Sequence, residues 1–194
     1  MRTRLFPLLA VLLLAVTAPV QAADLSAPLI LVAKPELRDR FYGQTIIVAR
    51  PLGDDQHIGF IVNRPTEVTL GAMFPEHGPS KLAANPVYVG GPVGAQMIFA
   101  LVQGGDSPGH KALQLMPGLF AVADEAGVDR IIESESGQAR IVAGVVAWSA
   151  GELRAEVERG AWYVLRADPA LVMRDPQGLW EELVRRSQRK ELSV

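Results

Sequence analysis

The sequence predicts an α+β domain built around a mixed sheet, and three observations carry that prediction. Short β-branched and apolar runs, punctuated by Gly, Pro, Asn and Asp, crowd the first half of the chain. Helical periodicity is confined to later segments, the clearest being Asp124 to Glu133 and the stretch after Asp175-Pro176. Past Ala22 no apolar run approaches membrane-spanning length, and Ala23 to Val194 is enough chain for one domain with a sizeable core. Strands gathered early and helices alternating late give the α+β layering.

The first element is not part of that domain. MRTRLFPLLAVLLLAVTAPVQA begins with the cations Arg2 and Arg4, runs apolar from Leu5 to Val16 and closes on Val20-Gln21-Ala22. That is the layout of a signal peptide, cleaved near Ala22. As a permanent anchor the run is short of the roughly 18 to 20 residues a bilayer requires. The chain has no Cys, so no lipoprotein attachment follows the leader. The expectation is a signal peptide over 1–22 and a single domain over 23–194, its core about 28–187. The mature form then has no membrane span, and its address is periplasmic or secreted, in a bacterium.

The strands follow in order. Leu29 to Val32 is a short apolar strand after a loose arm. Thr45 to Ala49 and Ile58 to Val62 read as a hairpin around Gly53-Asp54-Asp55, closed by Asn63-Arg64-Pro65 because proline cannot extend a ladder. Val87 to Val89 and Met97 to Val102 are strands separated by Gly90-Gly91-Pro92, and Leu119 to Val122 and Ala139 to Val146 complete the set. Asp168-Pro169 and Asp175-Pro176 each pair an N-cap residue with Pro at the first helical position. The second opens a helix with Leu179, Trp180, Leu183 and Val184 inward. Its end carries Arg185, Arg186, Arg189 and Lys190, favourable charge at a helix C-terminus on a solvated face.

Composition narrows the chemistry. Nineteen basic and 21 acidic residues leave the chain slightly acidic, more so once Arg2 and Arg4 are removed, so no nucleic-acid partner is expected. With no cysteine there is no disulfide, thiolate metal site or thiol nucleophile. His57, His77 and His110 are too far apart in sequence for a helical metal-binding pair, so no metal and no cofactor are expected. Asp54-Asp55 could act as paired carboxylates, but after Gly53 they read as turn formers.

Ser149 is the residue closest to a nucleophile. Ala147-Trp148-Ser149-Ala150-Gly151 follows a strand and begins a helix, as a nucleophile elbow does. That hydrolase fold places its histidine after the serine, whereas His110 is the last histidine here. The structural reading is a helix start: Ser149 and Glu152 form a capping box, and Trp148 and Leu153 flank it as a hydrophobic staple. No catalytic residue is therefore assigned; Trp148, Ser149, Gly151, Glu152 and Leu153 are expected to act as a cap. Gly90-Gly91-Pro92-Val93-Gly94 lacks the Walker lysine, and Pro92 has no N–H. It reads first as a backbone bend. It is also the best small-ligand candidate, with Asn63, Arg64, Gly90 and Gly91 lining it. There, Arg64 would supply charge and the glycine amides donors for a peptide or small anion.

Four blocks then carry a family resemblance. LILVAKPELRDRFYGQTIIVA, HIGFIVNRP, VYVGGPV and GVVAWSAGELRAEVERGAW, in that order, resemble the AlgH/YqgE family of uncharacterised bacterial proteins from about Pro28 to Leu183. The resemblance implies a compact α+β domain with a partly closed, barrel-like mixed sheet flanked by helices, and no established catalytic residue or cofactor. Members are often labelled transcriptional regulators, a label the leader and the acidic balance do not favour here. The chain departs from the family pattern at Arg50-Pro51-Leu52 and at Ser149. The expected function is a non-catalytic binding or regulatory module of the envelope, its partner an envelope protein or a small anion. The alternatives are a hydrolase using Ser149 with His57 or His110, and a transcriptional regulator as the family is often labelled.

Overall fold

Alternation explains the architecture. In LILVA, Ile30 and Val32 face one side of the sheet and Leu29, Leu31 and Ala33 the other, and all five are buried. A strand covered on both faces reads as a continuous apolar run, which is how these strands stand out in the sequence. The computed structural model describes residues 24–76, 78, 85–109, 111–135 and 139–193. The leader, His77 and His110 lie outside the described residues. No helix among the described residues is long and apolar enough to cross a membrane.

Ten strands form one curled sheet: β1 (Leu29–Ala33), β2 (Ile46–Gly53), β3 (Gln56–Ile61), β4 (Pro65–Thr69), β5 (Pro86–Val89), β6 (Val93–Gln103), β7 (Ala112–Met116), β8 (Leu119–Val122), β9 (Ala139–Trp148) and β10 (Trp162–Arg166). The order is β10-β1-β2-β3-β9-β6-β8-β7, with β4 on β5 and β5 on β9. The pairings are antiparallel except for β5 with β9. The curl brings the far edge round toward β2, where Arg50 donates to the Gln114 carbonyl of β7. This is the half-barrel α+β arrangement that the family resemblance implies.

Helices α1 (Leu70–Met73), α2 (Glu125–Glu135), α3 (Glu152–Glu158), α4 (Pro169–Val172) and α5 (Leu179–Glu191) cover the sheet. The concave core joins Ile30, Val48, Phe60 and Leu101 to Leu179, Leu183 and Val184 of α5. On the other face, Leu31, Ile47, Ile61 and Trp148 pack with Leu153 of α3. Ala100, Val102 and Ile141 pack with Val128, Ile131 and Ile132 of α2.

Several elements differ from expectation. The hairpin is tighter than expected: β2 and β3 are joined by Asp54 and Asp55 alone, both at positive φ (48° and 56°). Pro65 does not end the ordered backbone. It opens β4, the first strand position, where a missing N–H does least harm. α5 begins at Leu179 behind Gly178 at φ 70°, because Asp175 folds back to accept from the Gln177 amide instead of capping a helix. Asp168 does cap α4, accepting from the Ala170 amide with Pro169 at the first position. Strands β4, β7 and β10 add to the expected set.

Candidate functional site

The Asn63, Arg64, Gly90 and Gly91 group is assembled around one corner of the sheet. Asn63 Oδ1 accepts from the Ile46 amide at 2.8 Å, and Nδ2 donates to the Gln44 carbonyl at 2.9 Å. Arg64 donates to the Phe41 carbonyl, and to that of Gly43 at 3.1 Å, and lies 5.6 Å over the Phe41 ring. Burial lowers its pKa from the ordinary value, with Asp39 acting in the opposite direction. These two side chains thus tie the 39–45 loop to the end of β3. The Gly90 amide donates to the Ala143 carbonyl, and its own carbonyl accepts from Ile61, both at 2.8 Å. A Cβ on Gly91 would stand 2.0 Å from the Val145 carbonyl carbon. The two glycines let β5 cross the backbone of β9 at close range, a contact no larger residue permits. At Asn63, Arg64 and Gly90 the polar groups are thus committed within the fold.

The Trp148–Leu153 segment turns β9 into α3. Glu152 Oε2 accepts from the Ser149 amide at 3.0 Å, which is one half of a capping box. The other half is absent. α3 takes Gly151, at φ 78°, as its N-cap with no side-chain cap bond, so the Ser149 hydroxyl does not perform the expected capping. Trp148 and Leu153 are both buried in one cluster, as a staple requires. The hairpin tip completes the junction: Asp55 takes a bidentate pair from Arg154 (2.9 and 3.1 Å), and its carbonyl accepts from the Gly151 amide. Those side-chain bonds hold the Asp55 carboxyl below its ordinary pKa.

His57 lies beside this junction, opposite Trp148 in the ladder, and is 2 % exposed. Its Nε2 lies 2.8 Å from the Leu25 carbonyl; a carbonyl only accepts, so Nε2 carries the proton. The second nitrogen, Nδ1, is buried without a partner among the described residues. Leu25 itself is buried, so the arm before β1 is part of the core. His57 is thus committed to holding that arm, while Ser149 is exposed.

One residue that sequence reasoning passed over forms the most unusual charge environment. Arg140, near the start of β9, is 7 % exposed. Its guanidinium donates to the Val62 carbonyl, and to the Arg174 carbonyl at 2.8 Å, and lies 4.4 Å over the Tyr88 ring. Burial pushes its pKa below the ordinary arginine value, against opposing influences from Tyr88 and Asp175. Beside it is a recess of about 150 Å³ lined by Asn85, Pro86, Tyr88, Ala139, Arg140, Ile141 and Met173. The signal was present in ARIVAGVVAW: a lone cation opening an otherwise apolar strand. No group of three or more His, Cys, Asp or Glu among the described residues could hold a metal ion.

A family model described as AlgH-like matches residues 30–191. A UPF0301 protein of Thermobifida fusca is 36% identical over 167 residues, covering 81% of this chain and 84% of its own. One from Streptomyces coelicolor is 31% identical over 172 residues, covering 85% and 88%. Among solved structures, the AlgH protein of Pseudomonas aeruginosa superposes with a TM-score of 0.67 at 24% identity, over 83% of this chain and 87% of that one. A Corynebacterium diphtheriae protein gives a TM-score of 0.69 at 23% identity, over 86% and 89%. At such identities the superpositions speak for the fold alone.

Proposed function

We propose that this chain, which belongs to the AlgH-like family, is a non-catalytic binding or regulatory module of the bacterial envelope. The observation that carries the binding reading is Arg140, a buried guanidinium beside an open recess. A site built to hold a ligand needs a concave space with a few fixed polar groups, and this recess has both. The envelope address rests on the leader reading of residues 1–22. The non-catalytic reading is supported by His57, whose Nε2–H is spent on the Leu25 carbonyl and not directed at a hydroxyl.

Two experiments test this. Fractionation of cells making the full chain, with N-terminal sequencing, is expected to return a periplasmic form beginning at Ala23; a cytosolic form retaining Met1 overturns the address. A pull-down from periplasmic extract is expected to return a specific partner, and well-folded bait that captures none counts against the regulatory reading. The hydrolase alternative returns only if a fluorophosphonate labels wild type but not Ser149→Ala.

A further inference from the structure

We infer that the recess beside Tyr88 is a site for a small monocarboxylate bearing a short apolar substituent, with Arg140 holding the carboxylate. The inference rests on the binding reading above and names its ligand class; it does not depend on the compartment.

The argument begins with charge. Described residues form the ion pairs Lys34–Glu191, Arg154–Asp55 and Arg174–Glu182, and Arg140 belongs to none of these. Asp175 influences it through space without forming an ion pair with it. The Val62 and Arg174 carbonyls satisfy hydrogen bonds but bring no negative charge. A buried cation with no ion-pair partner among the described residues is costly, and the cost falls when an anion enters. A guanidinium has five N–H donors in a planar fork, more than two carbonyls consume, and that fork matches a carboxylate. Tyr88 under the guanidinium fixes the plane of the fork.

The walls choose among anions. Pro86, Ala139, Ile141 and Met173 are apolar. Among the described residues lining the recess, Arg140 is the one cation. A single positive charge balances a monoanion; a phosphate dianion would carry uncompensated charge into an apolar-walled space. The apolar walls then favour a carboxylate with a hydrocarbon substituent over a bare one.

The test is a titration of the purified protein followed by NMR, with ionic strength held constant by chloride. The probes are butyrate, acetate, inorganic phosphate and the neutral isostere butyramide. Butyrate is expected to give saturable shifts centred on the Arg140 side-chain N–H groups, Tyr88, Ile141 and Met173. Phosphate should bind at least about tenfold more weakly, a loss of one charge-matched contact, and butyramide should not bind. A folded Met173→Trp, which puts a larger side chain at the recess wall, should weaken butyrate by a similar factor. Butyramide equal to butyrate, phosphate equal to butyrate, or no saturable shift in wild type each overturns the inference. None of these results alters the periplasmic pull-down, so the two readings fail separately. Arg140→Gln should lose saturable butyrate shifts, and retained binding in the folded variant overturns the inference; if it does not fold, the wild-type comparison of butyrate with butyramide still decides.

Discussion

Asn63 stands in for a strand neighbour. Its amide satisfies the Ile46 N–H and the Gln44 carbonyl where the β2–β3 ladder runs out. Truncation to alanine leaves both groups unpaired, at an expected cost of about 1–3 kcal/mol. Chemical denaturation of Asn63→Ala should show that loss, and Asn63→Asp, which keeps the acceptor but not the donor, should fall between. The sequence marks Asn63-Arg64-Pro65 as unusual but cannot reveal why. The partners are 17 and 19 residues away, so their geometry depends on a loop that local spacing does not encode. Arg140 was hidden for a related reason. A single cation in a strand reads as an edge or solvent position until the topology places β9 in the middle of the sheet.

Among the elements, the β9–α3–β10 unit is held by one carboxylate. Glu156 Oε2 accepts from the indole N–H of Trp148 at 3.0 Å and of Trp162 at 2.8 Å, so a residue of α3 joins the two strands that flank it. Glu156→Ala orphans two buried donors, and the expected destabilisation is about 2 kcal/mol. A shift in tryptophan emission, read before unfolding begins, locates the effect. Asp55 and Arg154 tie the hairpin tip to the same helix. Because Arg154 holds the Asp55 pKa below its unfolded value, the stabilisation is complete above the ordinary carboxylate value of about 3.9 and disappears as pH falls through the lowered one. The stability difference between wild type and Asp55→Asn should therefore stay constant near neutrality and vanish in acid, and pH-dependent denaturation checks this. The start of α3 was legible in Ser149, Glu152 and the staple residues. The left-handed Gly151 that replaces the serine cap was not, since S-x-x-E is equally compatible with both arrangements.

At the level of the whole molecule, the α+β class was legible because sheet strands buried on both faces leave unbroken apolar runs. Strands β4 and β7 were not, since exposed Glu67 and Gln114 interrupt their patterns. The arm before β1 was expected to be loose. Instead, Leu25 is buried and its carbonyl receives the His57 proton. A chain beginning at Pro28 should lose about 1.5–3 kcal/mol from Leu25 burial alone, with a further penalty from the stranded imidazole donor. A chain beginning at Ala23 should not. Thermal unfolding of the two forms separates them.

The central position of β9 has a consequence for biogenesis. β9 bonds to β3, β5 and β6, and β10 bonds to β1, so both edges of the early β1–β2–β3 meander wait for chain that emerges last from the ribosome. Partnerships between distant segments form slowly, because the loop must be closed before any contact rewards it. The chain stays unable to knit itself shut until its last third has been made. A circular permutant that brings β9 and β10 ahead of β1 should close its sheet sooner, and stopped-flow refolding against the natural order checks this.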